Sequence, residues 1–239
     1  SHENNEKEGL NIKAMIANRV DGLMISISQN TKNKEPFLSL KRQKIPFVFF
    51  DRVFNDNNLK TSVVVVNDLE GSQNAVEYLI KKGYRRIAHL AGPEYIAISH
   101  ERHQGYKNAL KKHNIPYDSQ LVIHGGFNEE DGIIGFQKLL KLDKMPDAIF
   151  AVNDPVAIGA FMQIKQNGLK IPDDIALVGF SDNPVMSLIE PAVTTVKQPM
   201  YEIGQVAAKL LLEQIENDQD TFKPREEVLK TELIIRNST

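Results

Sequence analysis

Apolar residues fall along the chain in short continuous runs separated by longer stretches of helical period. Phe47-Val48-Phe49-Phe50 and Val63-Val64-Val65-Val66 have no polar position on either face. A strand of that kind must be covered on both sides, the mark of a parallel sheet flanked by helices. Expected strands are 22–28, 46–51, 62–67, 86–91, 121–124, 148–152, 175–180, 194–197 and 233–236.

The segments between them carry helix signals. Asn67 with Glu70 three residues on predicts a cap and capping box, and Gly83 closes that helix after Lys81-Lys82. Asp154-Pro155 predicts a cap followed by proline in the first turn, with Gly168 as the stop. Pro199 opens a helix whose apolar face is Met200, Ile203, Val206, Ala207, Leu210 and Leu211. Lys44-Ile45-Pro46, Asn114-Ile115-Pro116 and Lys170-Ile171-Pro172 repeat one exit signal, since the proline sends the chain on in extended form. The polar stretch 217–227 is expected to be a surface loop. The pattern predicts a doubly wound α/β protein.

Composition narrows the function classes. With 41% apolar and 25% charged residues, the 239-residue chain can build an ordinary core or two. Its apolar runs are far too short to cross a bilayer, and no charged-then-apolar export segment opens it. The chain has no cysteine, which excludes a disulfide framework and fits a reducing, cytoplasmic setting. A net charge of −2 argues against a nucleic-acid surface in these residues. The basic groups Lys81-Lys82, Arg85-Arg86 and Lys111-Lys112 sit where cations complement helix ends.

Ligands of open parallel sheets bind beyond the carboxyl ends of the strands, so the residues after each run matter most. Asp51-Arg52, Gly92-Pro93, Asn153-Asp154 and Ser181-Asp182 follow four of them, and together they suggest a polar rim. Taken singly, Asp154 reads as a helix cap, and Asp51 as a partner of Arg52 or the cap of a turn. Arg102 is more informative. If Ser99 caps the helix running to His113, Arg102 stands in its first turn, where a cation is disfavoured by about 0.3–1 kcal/mol and is better explained by a partner in the cleft. Phe127, after Gly125-Gly126, is either core or an aromatic platform for a flat ligand.

Catalysis has no support. There is no thiol, no glycine-flanked nucleophile and no dinucleotide-binding turn; nothing calls for a cofactor. His100 and His103 have metal-ligand spacing, but a surface pair is the simpler reading, and no metal is expected.

Several runs resemble the lactose/galactose-repressor family of transcription regulators. They include Arg85-Arg86-Ile87-Ala88-His89-Leu90-Ala91-Gly92-Pro93, and Arg102 followed by Gly105-Tyr106 and Ala109-Leu110. Pro146-Asp147-Ala148-Ile149-Phe150-Ala151 with Asn153-Asp154, and Ile171-Pro172-Asp173-Asp174-Ile175-Ala176-Leu177-Val178-Gly179-Phe180, continue the match. Thr194-Thr195-Val196 with Gln198-Pro199, and Leu233-Ile234-Ile235-Arg236 with Ser238-Thr239, complete it in order.

The resemblance implies two similar lobes, residues 1–65 with 199–229 and residues 66–198 with 230–239. It implies a small-molecule effector, a sugar in the first instance, in the cleft between them. Family effector contacts carry over onto Asp51, Arg102, Phe127, Asn153 and Gln198. The family's acidic position after the Val-Gly-Phe strand is Ser181 here, so its contact passes to a neutral hydroxyl or to Asp182. A charged hydrogen bond contributes about 1.5–3 kcal/mol and a neutral one about 0.5–1.5, so the effector is expected to differ from a simple hexose or to bind less tightly. The resemblance further implies a homodimer that reaches operator DNA through a helix-turn-helix head. That head, and the first strand–helix–strand of the N-terminal lobe, are expected to lie outside these residues. A periplasmic sugar-binding protein, which shares the two-lobe plan, is the alternative.

Overall fold

A computed structural model describes residues 3–54, 59–217 and 222–239. In chain order the first elements are α1 (Asn5–Ala17), β1 (Leu23–Ile25), α2 (Glu35–Arg42), β2 (Phe47–Phe50) and β3 (Ser62–Val66). Next come α3 (Asp68–Lys81), β4 (Ile87–Ala91), α4 (Ala97–Lys112), β5 (Val122–His124), α5 (Glu129–Leu139), β6 (Ala148–Ala151) and α6 (Asp154–Gln166). The last are β7 (Ala176–Ser181), β8 (Thr194–Lys197), α7 (Met200–Glu216), β9 (Glu226–Leu229) and β10 (Glu232–Ile234). The chain divides into two compact units, Ser1–Val66 with Pro199–Leu229 and Asn67–Gln198 with Lys230–Thr239.

Unit 1 is a four-stranded sheet in the order β1-β2-β3-β9, parallel throughout. Alternation along β2 shows why an unbroken apolar run is needed. Phe47 and Phe49 pack with Phe37 and Leu40 of α2 and Ile12 of α1. Val48 points the other way, into a cluster with Val64, Val66 and the α7 residues Ile203, Ala207 and Leu210. Met200, expected on that apolar face, is 55% exposed, because it opens α7 ahead of the turns that meet the sheet. The sequence reading also missed β9. Glu226 and Glu227 make it look like loop, yet it pairs with β3 as a polar edge strand. The rest of the expected loop includes residues 218–221, which lie outside the described residues.

Unit 2 is a six-stranded sheet in the order β10-β8-β7-β6-β4-β5. All its pairs are parallel except β10 with β8. Helices α3 and α4 cover one face through Val76, Leu79, Tyr106 and Leu110. Helices α5 and α6 cover the other through Phe136, Leu139, Val156 and Ala160. The α5–α6 contact depends on glycine. A Cβ on Gly159 would overlap the Glu129 carbonyl oxygen, and one on Gly132 would overlap that of Val156. This is the doubly wound α/β architecture that the strand pattern predicts.

Candidate functional site

The parallel registers put the carboxyl ends of β8, β7, β6, β4 and β5 along one edge of unit 2. Lys197 lies beside Ser181, Ala151 beside Leu90, and His124 beside Ala91. The residues that follow these ends are Gln198, Asp182, Val152-Asn153, Gly92 and, three past β5, Phe127. Arg102 reaches the same edge from α4, where its Nη1 donates to the Val152 carbonyl at 2.7 Å.

Arg102 is the largest side chain buried here, at 2% exposure. Helix α4 begins at Ala97 with Ile96 as its cap, so Ser99 is not the cap and Arg102 lies beyond the first turn. Its partner comes from within the chain. Nε and Nη2 both lie 2.7 Å from Oδ1 of Asp68, in the first turn of α3. The guanidinium also stacks 3.6 Å above the centre of the Phe180 ring. A buried cation is thereby given an anion, a carbonyl and an aromatic face.

Asn153, rather than Asp154, caps α6: its Oδ1 accepts from Val156 N at 3.0 Å. Its Nδ2 donates to the Phe127 carbonyl at 2.9 Å, which ties the end of β6 to the segment after β5. The Phe127 ring is 6% exposed and belongs to the core on the α5–α6 side. It packs into the space left by the missing side chain of Gly92, where a Cβ would come within 2.6 Å of Cε1.

Freed from capping, Asp154 is fully buried and accepts from Thr195 Oγ1 at 2.7 Å and Asn183 N at 2.6 Å. Burial pushes its carboxyl above the usual range, against the pull of those two bonds. Ser181 ends β7 with φ 128° and Asp182 follows at φ 62°, so the chain turns sharply there. Asp182 Oδ1 receives Nη2 of Arg236 at 2.6 Å. Gln198 is 5% exposed, at the point where the chain leaves β8.

Asp51 belongs to unit 1, at the carboxyl end of β2, in the left-handed region at φ 57°. Ser26 Oγ donates to its Oδ2 at 3.4 Å, and Arg52 Nε lies 3.9 Å from the same oxygen. Arg52 is itself held by Glu3 through two bonds of 2.9 and 2.8 Å.

The sequence reading passed over Asp68, because an acidic residue in a first helical turn reads as dipole compensation. The position was legible in one respect: it lies two residues beyond the end of β3, as Asn153 lies two beyond β6. Asn67 was read as a cap, but its side chain makes no capping bond. Instead its Oδ1 accepts from Thr231 N and Oγ1 at 2.8 and 2.9 Å, and Nδ2 reaches Glu70. Only His100 of the expected surface histidine pair is exposed. His103 sits beside His89, Tyr117 and His124. Burial lowers the His89 pKa to about 3 and that of His103 to about 4. Among the described residues no group of three acidic, histidine or cysteine side chains is placed to hold a metal, and no helix is long and apolar enough to cross a membrane.

The chain has clear relatives among known proteins. Residues 76–239 match the family described as a periplasmic binding protein-like domain. Across 98% of the chain, 35% of residues are identical to the HTH-type transcriptional repressor CytR of Escherichia coli K12, of which the match covers 67%. A solved transcriptional regulator, CelR in complex with cellobiose, superposes with a TM-score of 0.87 at 31% identity, over 98% of this chain and 70% of that one. A LacI family transcriptional regulator from Enterococcus faecium with bound ribose gives 0.84 at 28% identity, over 96% of this chain and 83% of that one.

Proposed function

The chain belongs to the lactose/galactose-repressor (LacI) family of transcription regulators, and from that premise we propose that it is the effector-sensing and dimerising part of such a regulator. Its effector is a small hydroxyl-rich molecule, a sugar in the first instance. The observation that carries this reading is the row of polar groups along the carboxyl edge of unit 2, of which Arg102, Asn153 and Asp182 are held in place by the chain itself. Arg102 donates, Asn153 donates and accepts, and Gln198 can do both. Phe127 packs in the core beside them. Ser181 and Asp182 complete the row; in unit 1, Asp51 at the carboxyl end of β2 is the proposed effector contact. Regulation rather than catalysis is the role of the relatives, in line with the lack of a catalytic motif in the sequence. A periplasmic sugar carrier would share the fold, but the match to a DNA-binding repressor runs over 98% of the chain.

Such a sensor works by binding two states of the regulator unequally. The effector can shift the balance only by its difference in affinity, on the order of 1–3 kcal/mol in typical cases. Operator DNA is reached through a helix-turn-helix head beyond these residues. A thermal-shift screen of sugars and nucleobases against the chain tests the reading. At least one should raise the melting temperature, and Gln198→Ala should reduce that shift. If no compound raises it, the sensor reading fails.

A further inference from the structure

The two guanidinium groups along the edge just described are each ion-paired. Arg236 pairs with Asp182, while the exposed Lys197 of β8 is in backbone register with the acidic Glu232 of β10. The most deeply buried of the pairs is Arg102 with Asp68, at 2% and 6% side-chain exposure. Asp154 adds a buried carboxyl and no cation. Among the described residues, this edge therefore presents hydrogen-bonding groups without a surplus of positive charge.

That balance matters for what can bind. A guanidinium carries N–H donors beyond the three bonds made here, so Arg102 can still donate to a ligand oxygen. Yet its charge is already compensated at 2.7 Å, in a buried place where solvent screening is weak. A phosphate or carboxylate brought up to Arg102 would lose its water and meet the Asp68 carboxylate as well as the cation. A hydroxyl would lose far less and gain nearly the same hydrogen bond.

We propose that Asp68 sets the charge of the effector: by neutralising Arg102 it makes the site select an uncharged, hydroxyl-bearing ligand and reject the phosphorylated or carboxylated counterpart. Asp68 acts through Arg102, so it is a positioning and specificity residue. This rests on the sensor reading and adds the ligand's charge to it. The carboxylate stands in the first turn of α3, directly after Asn67, whose side chain fastens the Thr231 backbone. Arg102 is thus referred to a fixed point in unit 2.

The test compares matched probes on the intact chain by thermal shift and calorimetry: ribose, glucose, cellobiose and adenosine, each beside its phosphate ester, with inorganic phosphate alone as a further probe. Wild type should bind the neutral member of a responding pair about tenfold or more tightly than its ester, and inorganic phosphate weakly. Asp68→Asn keeps the shape and an acceptor oxygen but removes the charge, and it should move the neutral-to-ester ratio about tenfold toward the ester. Asp68→Glu, which retains the charge, should keep the wild-type preference. Tighter binding of the ester by wild type overturns the proposal, as does an unchanged ratio in a folded Asp68→Asn protein. If Asp68→Asn does not fold, the wild-type ratio and Asp68→Glu decide the matter. If no member of any pair binds wild type, the sensor reading falls, which is a different failure.

Discussion

The two units use one architectural rule with unequal investment. Unit 2 clamps a six-stranded sheet between two helix pairs, and its edge residues are wired into that core: Arg102 to Asp68 and Val152, Asn153 to the Phe127 backbone, Asp154 to Thr195. Unit 1 has four strands, and its polar edge strand β9 alternates exposed and half-buried positions. Its edge residue Asp51 is 23% exposed at the side chain, against 2% for Arg102. Under the proposed function, folding and recognition depend on the same bonds where an edge residue is buried. Where it stays in reach of water, the two can be separated.

The largest effect expected is at the helix contact of unit 2. Gly159→Val drives a side chain into the Glu129 carbonyl and should destabilise the chain by about 3 kcal/mol or more, read from urea denaturation. A mild cost would show that α5 and α6 can move apart, and that unit 2 is less rigid than its packing suggests.

Next comes the direct contrast of edges. Arg102→Ala removes the cation beside the buried Asp68 carboxylate and should cost about 3–5 kcal/mol. Asp51→Ala should stay within about 1 kcal/mol of wild type. Both should abolish the effector-induced rise in melting temperature. Equal stability losses would break the comparison, since recognition and folding would then be joined in unit 1 as well.

Acid should separate the units more gently. His89 and His103 have folded pKa values of about 3 and about 4, below the ordinary 6.5, so the native state binds fewer protons than the unfolded chain. Their contribution to stability is complete above pH 6.5 and is lost as pH falls through 6.5 toward those folded values. Unit 1 has no histidine among its described residues. Denaturation midpoints followed from pH 7 to pH 4.5 should therefore fall, and His89→Leu should flatten the slope. An unchanged slope would remove His89 from the account. The smallest effect belongs to β9, where Val228, 53% exposed, should accept threonine within about 0.5 kcal/mol by the same denaturation measurement.

Much of this was legible in the sequence, for reasons tied to particular residues. Phe47–Phe50 and Val63–Val66 announce strands buried on both faces, because no other arrangement removes such runs from water. β9 escaped notice since an edge strand can be polar, and pairing with β3 rather than its own pattern makes it a strand. The candidate edge was visible as a set of strand endings. Its wiring was not: Asn67 reads equally well as a cap, and it was diverted to Thr231, 164 residues along the chain. The cap of α6 moved one residue, from Asp154 to Asn153, because Thr195 and the Asn183 backbone gave Asp154 a better use.

By itself, then, the sequence determined most of the elements, the class of fold and the family, all of which follow from local pattern and ordered motifs. Only the tertiary structure decided which charges meet. Asp68 and Arg102 are 34 residues apart, and nothing in either local window says that one neutralises the other. A buried ion pair is a property of the core that excludes its water, and that core exists only once α3 and α4 have packed over β4, β6 and β7.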